Sequence, residues 1–154
     1  MTINQEFFSE KALLFDQEAN NKEEAIKKIA ILLLNKKAVI EDFIPAILLR
    51  EENYPTGLKL SRGVGVAIPH TDADKVIKNQ IGFISLKNPV TFRQMGSETE
   101  TVKVNLIFVL CLKESHEQLE MLQQLMSLFN NEEYIESLLK CKNESEFLDA
   151  FKSK

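Results

Sequence analysis

A histidine that follows a short apolar run is the residue of this chain best suited to chemistry. His70 comes directly after Pro69, at the end of the segment 63–68, and is one of only two histidines in the chain. A neutral imidazole can attack a phosphoryl group, and its ordinary pKa near 6.5 leaves it mostly neutral around pH 7. Because a phosphorylated ring nitrogen passes its group on easily, His70 suits a carrier better than a terminal acceptor.

Arg50 and Thr56 could support such a transfer. The transition state of phosphoryl transfer spreads negative charge over several oxygens, and an arginine offers them two-point contacts with a permanent charge. Thr56 and the backbone at Gly57 could add donors. Arg50 also fits a solvated helix end that pairs with the neighbouring Glu51 and Glu52, which is the ordinary arrangement of a charge cluster.

Other chemistries find less support in the sequence. The chain lacks the phosphate-binding pattern G-x-x-x-x-G-K-[ST], so direct use of ATP is not expected. His70 and Asp74 fit the H-x-x-x-D pattern of some acyltransferases, but that pattern is short and common by chance. Cys111 and His116 supply only two potential metal ligands, too few for a site. We expect neither a metal nor any other cofactor.

The elements that position His70 follow from the hydrophobic periodicity. The pattern predicts nine elements in the order β-α-α-β-β-β-α-α-α, an α/β fold with a mixed sheet covered by helices on both faces. Pro69 cannot donate to a strand ladder, so His70 should lie at the carboxyl end of a short strand, where such sheets bind ligands. The segment 57–65 is predicted to be a loop, and 87–101 a loop with some irregular extended pieces. A helix over 41–53 should carry Arg50 near its end.

Composition limits the class of protein. The chain has 154 residues, 44% of them hydrophobic and 27% charged, which predicts a single domain spanning residues 1–154. A net charge of −4 argues against nucleic acid as a partner. The apolar runs are too short for direct membrane insertion, and the first residues lack the pattern of a signal peptide, so we expect a cytoplasmic protein with reduced thiols.

Three motifs together resemble a known family. Arg50-Glu51, then Thr56-Gly57, then Ala67-Ile68-Pro69-His70 are similar to the pattern of enzyme IIA of the bacterial sugar phosphotransferase system, in its fructose/mannitol/galactitol class (type 2). The resemblance covers the chain from about residue 5 and implies a three-layer α/β/α domain. It implies that His70 accepts phosphate from the phosphocarrier protein HPr. Enzyme IIB, which feeds the membrane component enzyme IIC, would be the next acceptor.

One position departs from the fructose and mannitol pattern. Members of those branches have a second histidine just before a leucine-rich helix, and the register of Leu119 and Leu122 places Gln118 at that position. His116 lies two positions too early, and residues two apart on a helix point in nearly opposite directions. The galactitol-type branch tolerates a glutamine there, so the chain most resembles that branch. We predict Gln118 as the neighbour of His70, with His116 as the alternative if the helix begins later.

Two functions are compatible with these residues. The first is a phosphoryl carrier for sugar or polyol uptake, of the galactitol type. The second is a regulatory protein of the same fold whose phosphorylation state controls its binding to partners. Rapid, reversible transfer to a purified enzyme IIB would distinguish them.

Overall fold

The structure, a computed structural model, describes residues 3–152. The predicted domain of residues 1–154 therefore includes four residues, 1–2 and 153–154, that lie outside the described part. The elements are, in chain order, β1 (Leu13–Gln17), α1 (Lys22–Asn35), α2 (Phe43–Asn53), β2 (Gly57–Lys59), β3 (Gly65–Ala67), β4 (Gln80–Arg93), β5 (Thr101–Cys111), α3 (Ser115–Leu128), α4 (Glu132–Lys140) and α5 (Glu144–Lys152).

The five strands form one mixed sheet in the order β1-β4-β5-β3-β2. Strand β1 runs parallel to β4, β4 antiparallel to β5, β5 parallel to β3, and β3 antiparallel to β2. Both faces of the sheet are covered, and alternate residues of β5 contribute to two separate cores. Leu106, Phe108 and Leu110 pack with the helices α3 to α5, whereas Ile107 and Val109 pack with α1 and α2. The predicted three-layer α/β/α architecture is confirmed.

The two predicted loops contain more strand than expected. Residues Gly57–Lys59 form the edge strand β2, which pairs with β3 across a tight connection. Strand β4 continues beyond residue 86 to Arg93, through a register shift between Ser85 and Val90. The loop prediction was wrong at residues 57–59, because a three-residue strand has no usable periodicity. The irregular extended pieces expected after residue 87 belong to β4, since Pro89 marks an irregularity within a strand rather than its end.

Local signals account for the helices that lead to the site. Asn21 caps α1, since its side chain accepts a hydrogen bond of 2.9 Å from the backbone N–H of Glu24. Helix α2 begins at Phe43, two residues later than predicted, and holds Pro45 in its first turn, where no backbone N–H is needed. Its last turn contains Arg50, as the sequence predicts.

Close contact between β3 and β5 places His70 just beyond the carboxyl end of β3. A Cβ atom at Gly65 would lie 1.9 Å from the carbonyl oxygen of Lys103, so only glycine lets the two strands pair there. Beyond Ala67 the chain stays alongside β5, because the N–H of Leu110 donates to the Pro69 carbonyl over 3.1 Å. Among the helices of residues 3–152, none has the length and apolar character needed to cross a bilayer.

Candidate active site around His70

Four separate segments of the chain meet around His70. The C-terminal turn of α2 brings Arg50, the start of β2 brings Thr56, the end of β3 brings Ile68 and His70 itself, and the first turn of α3 brings Gln118. Four of the five residues predicted for the site, Arg50, Thr56, His70 and Gln118, therefore lie in one region. His116, the fifth, points elsewhere.

The tautomer of His70 is set by its own backbone. The Nδ1 atom of the ring lies 2.9 Å from the carbonyl oxygen of Ile68. A carbonyl can only accept a hydrogen bond, so Nδ1 carries the proton and donates it. The other ring nitrogen, Nε2, then holds the lone pair of a neutral imidazole. Nε2 is therefore the nucleophilic atom of this ring.

The surroundings of His70 favour the neutral ring. Burial lowers the pKa of His70 below its ordinary value, and the positive charge of Arg50 lowers it further. The hydrogen bond to the Ile68 carbonyl acts in the opposite direction, since it favours the charged ring, but burial dominates. A ring that stays neutral down to lower pH remains a competent nucleophile over a wider pH range.

Arg50 carries a charge that no carboxylate in residues 3–152 neutralises. Its guanidinium lies over the Tyr54 ring, with the central carbon 4.7 Å from the ring centroid, and its Nε is buried without a hydrogen-bond partner. The two adjacent acids do not pair with it, because Glu51 binds Thr56 and Glu52 contacts Lys22. A solvated ion-pair cluster is therefore not what the structure contains, and the open donors of Arg50 suit an anionic group.

Thr56 is held inside the protein, not at its surface. It is 4% exposed, and its hydroxyl donates to Glu51 over 2.8 Å while accepting from the N–H of Ile68 over 3.1 Å. The single hydroxyl hydrogen is thus already used. In this arrangement Thr56 supports the site through the backbone that holds His70.

Gln118 reaches the segment that follows His70. Its side-chain nitrogen donates to the carbonyl oxygens of Thr71, at 3.2 Å, and Leu112, at 3.0 Å. Gln118 thereby joins the start of α3 to the residue after His70. The side chain of His116 is 81% exposed instead and contacts Glu120 across one turn of the helix, at 3.4 Å. Direct contact between Gln118 and a phosphate stays a prediction.

Glu51 is the site residue that the sequence analysis missed. It is 2% exposed, and its two carboxylate oxygens accept from the N–H and the hydroxyl of Thr56, each over 2.8 Å. A signal for its burial was present, since Phe43, Ile47 and Glu51 are spaced four residues apart and continue one face of α2.

The described residues offer no alternative metal or thiol chemistry. Among residues 3–152 no group of three or more His, Cys, Asp or Glu side chains is arranged to hold a metal ion. Cys111 is fully buried in the core, and burial raises the pKa of its thiol far above the ordinary value. The chemistry available to the site is that of the imidazole and the guanidinium.

The fold and the residues around His70 agree with a match to one family of phosphotransferase components. The family model described as "Phosphoenolpyruvate-dependent sugar phosphotransferase system, EIIA 2" matches residues 6–154. The chain belongs to this family, as the three motifs indicated.

Curated relatives include both transport components and a regulator. The chain is 27% identical over 119 residues to the galactitol-specific EIIA component of Escherichia coli, covering 77% of this chain and 78% of that one. It is 30% identical over 139 residues to the mannitol-specific enzyme IIA component of Bacillus subtilis, covering 88% of this chain and 90% of that one. The transcriptional regulator ManR of B. subtilis is 31% identical over 140 residues, 88% of this chain, but the chain spans only 20% of that protein's length.

Solved structures share the whole fold. PtxA, a phosphotransferase-system IIA protein of Streptococcus mutans, superposes with a TM-score of 0.81 at 25% identity and covers 99% of this chain and 94% of its own. The mannitol enzyme IIA of E. coli, solved in complex with phosphorylated enzyme IIB, superposes with a TM-score of 0.71 at 23% identity. The match covers 94% of this chain and 96% of that one.

Proposed function

We propose that this protein is the cytoplasmic phosphoryl carrier of a sugar or polyol phosphotransferase system, and that His70 is its phosphorylated residue. The observation that carries the proposal is the pairing of a neutral His70, with Nε2 open, and an Arg50 whose charge is not neutralised. Arg50 and His70 perform the chemistry, while Thr56 and Gln118 hold the segments on either side of the histidine.

The transfer step follows from the tautomer of His70. The lone pair of Nε2 attacks the phosphorus of an incoming phosphohistidine, a new N–P bond forms, and the P–N bond of the donor breaks with its electron pair returning to the donor ring. Positive charge develops on the His70 ring as it attacks, and the Ile68 carbonyl that accepts from Nδ1 stabilises it. The guanidinium of Arg50 stabilises the negative charge on the phosphoryl oxygens.

The donor in this proposal is HPr, and the acceptor is a cognate enzyme IIB that feeds the membrane component enzyme IIC. A complex between a mannitol enzyme IIA and its phosphorylated enzyme IIB supports this choice of acceptor. Exposed apolar side chains beside the site residues offer protein partners a docking surface: Leu49 and Tyr54 are each 64% exposed, and Leu119 is 54% exposed.

We further propose that the system is of the galactitol type, with a cysteine on enzyme IIB as acceptor. The support is the glutamine at position 118 and the match to galactitol-specific components. Transfer from the phosphorylated chain to purified galactitol-type and mannitol-type enzyme IIB tests this. Faster transfer to the mannitol-type protein would contradict the galactitol assignment without affecting the carrier role.

The regulatory alternative is not favoured. The galactitol and mannitol transport components are matched over 78% and 90% of their lengths. The regulator ManR is matched over 20% of its length, so the shared part is one segment of a much larger protein.

The carrier role is tested by phosphorylation in a purified system. The chain is incubated with enzyme I, HPr and phosphoenolpyruvate, and the acid-labile adduct is located by mass spectrometry. We expect the label on Nε2 of His70 and none in the His70→Ala variant. Full labelling of that variant, or a label on His116, would overturn the assignment.

A further inference from the structure

A chain of hydrogen bonds connects a buried carboxylate on α2 to the His70 ring. Glu51 accepts from the Thr56 hydroxyl over 2.8 Å, Thr56 accepts from the N–H of Ile68 over 3.1 Å, and Ile68 accepts from Nδ1 of His70 over 2.9 Å. This series of contacts, the Glu51–Thr56–Ile68 relay, joins the end of α2, the residue before β2 and the segment after β3. It ends on the ring nitrogen opposite the nucleophilic one.

We propose that Glu51 and Thr56 are positioning residues that hold His70 in the Nδ1–H tautomer and aim its Nε2 at the incoming phosphoryl group. This inference rests on the proposed function, for which it adds two residues that act through the backbone and do not touch the phosphate.

The direction of each bond in the relay is determined by chemistry. Glu51 offers two oxygens to two donors of the same residue, the N–H and the hydroxyl of Thr56, each at 2.8 Å. When Glu51 is ionised its oxygens can only accept, so the hydroxyl hydrogen is directed at Glu51, which leaves an oxygen lone pair of Thr56 for the N–H of Ile68. Without the carboxylate, the hydroxyl could rotate, and nothing would orient its lone pair toward β3.

The segment around His70 depends on this support because Pro69 supplies no backbone donor. The Ile68 N–H is bound by Thr56 on one side, and the Pro69 carbonyl is bound by Leu110 on the other. These two contacts hold the backbone whose Ile68 carbonyl accepts the His70 proton. Ile68 is fully buried, so an unpaired N–H there could not be satisfied by solvent.

Burying the Glu51 carboxyl group at this position costs free energy, and packing alone does not require an acid there. Glu51 is 2% exposed and lies in the last turn of α2, near the negative end of the helix dipole, where a carboxylate is least favoured. In residues 3–152 no basic side chain forms an ion pair with it; the cations Lys22 and Arg93 act only at longer range. The positions before it on the same face, Phe43 and Ile47, are apolar. A hydrophobic residue would suit the packing, and the contacts that the carboxylate makes here are those with Thr56.

The proposal is tested by removing the hydroxyl at the centre of the relay. Thr56→Val keeps the shape of the side chain and breaks the bonds to both Glu51 and Ile68. Thr56→Ser restores the hydroxyl, and Thr91→Val removes a matched hydroxyl from an exposed threonine on β4, whose partner is Lys103. Ring ¹⁵N chemical shifts of His70 report the tautomer directly, and rapid-quench kinetics report transfer from HPr.

In the wild-type chain we expect the shifts of a protonated Nδ1 and an unprotonated Nε2. In Thr56→Val we expect a mixture of tautomers and transfer slowed about ten- to a hundredfold, the range for a small misplacement of a reacting group. Thr56→Ser should recover the wild-type tautomer, and Thr91→Val should change neither readout. A folded Thr56→Val variant with the wild-type tautomer and transfer within twofold would overturn the proposal.

A second variant covers the case in which Thr56→Val does not fold. Glu51→Gln keeps the size of the side chain but turns one acceptor into a donor, so one of the two Thr56 donors, the N–H or the hydroxyl, loses its acceptor. We expect a shift of the His70 tautomer in the same direction as in Thr56→Val. An unchanged tautomer and rate in Glu51→Gln would refute the part assigned to Glu51. If the wild-type chain accepts no phosphate from HPr, the proposed function fails instead, while the ¹⁵N shifts still show whether the relay holds the ring.

Discussion

Replacing Glu51 by glutamine is expected to remove a pH dependence from the stability of this protein. Burial raises the pKa of Glu51 from the ordinary 4.5 to about 7, in spite of the two hydrogen bonds from Thr56 that act in the opposite direction. Between these two values the unfolded chain has lost the Glu51 proton while the folded chain still holds it. The free energy of unfolding therefore falls as the pH rises through this window, and the loss is complete above pH 7.

The size of the effect follows from the difference between the two pKa values. One pKa unit corresponds to about 1.4 kcal/mol, so a shift from 4.5 to about 7 represents about 3 kcal/mol of stability lost between pH 4.5 and 8. Glutamine has nearly the same shape and does not ionise. Relative to the wild-type chain, Glu51→Gln should gain about 3 kcal/mol of stability over the same pH range.

Urea unfolding at half-unit steps between pH 5 and 8 measures this difference. The His70 ring also contributes to the pH dependence of stability, because burial lowers its pKa in the folded chain, so its titration is followed by NMR in both chains and its contribution is subtracted. Glu98→Gln, at an exposed position, is the matched control and should stay within about 0.5 kcal/mol of the wild type throughout. If Glu51→Gln instead loses stability relative to the wild type as the pH rises, the hydrogen bonds from Thr56 outweigh burial and the reasoning is refuted.

Four further outcomes can be measured. Arg50→Lys keeps the charge but not the two-point contact, so transfer from HPr should slow about tenfold or more without loss of fold; an unchanged rate would leave Arg50 as a surface residue. Gln118→Ala should change both the pKa of His70 and the hydrolysis rate of its phosphorylated form, and His116→Ala should change neither. In an NMR titration His70 should titrate below 6.5, so transfer should weaken only when the pH falls under that value. Gly65→Ala should lower the free energy of unfolding by about 2 kcal/mol or more, measured in urea, because its Cβ would meet a backbone carbonyl of β5 at 1.9 Å.

Hydrophobic periodicity was sufficient to predict most of the helices and strands of the fold. The observed order of helices and strands differs from the predicted one by the additional strand β2, and α2, predicted over 41–53, occurs over Phe43–Asn53. The predicted elements carry their own local signals, such as the Asn21 cap and the alternation of β5. Strand β2 has no such signal. It forms because Gly57, without a Cβ, can lie against β4 and β5, where a Cβ would come 2.6 Å from the carbonyl oxygen of Arg93.

The resemblance to the family's motifs pointed to His70 and Arg50, through Ala67-Ile68-Pro69-His70 and the Arg50-Glu51 pair, which are features of local sequence. The side of α3 that faces His70 was also a local question, answered by the leucine register of that helix, and the structure places Gln118 against Thr71 with His116 exposed. Such short-range patterns are readable from one sequence since they depend on neighbours along the chain.

Only the tertiary structure decided what each site residue contacts. The buried hydroxyl of Thr56 and the contacts of Glu51 depend on partners from the end of α2, the start of β2 and the segment after β3. Glu51 stands in a charged run, and its inward position follows from its place on the same face of α2 as Phe43 and Ile47. A hydrogen-bond partner is determined by distance in space, and strand pairing and helix packing, not spacing along the chain, set that distance.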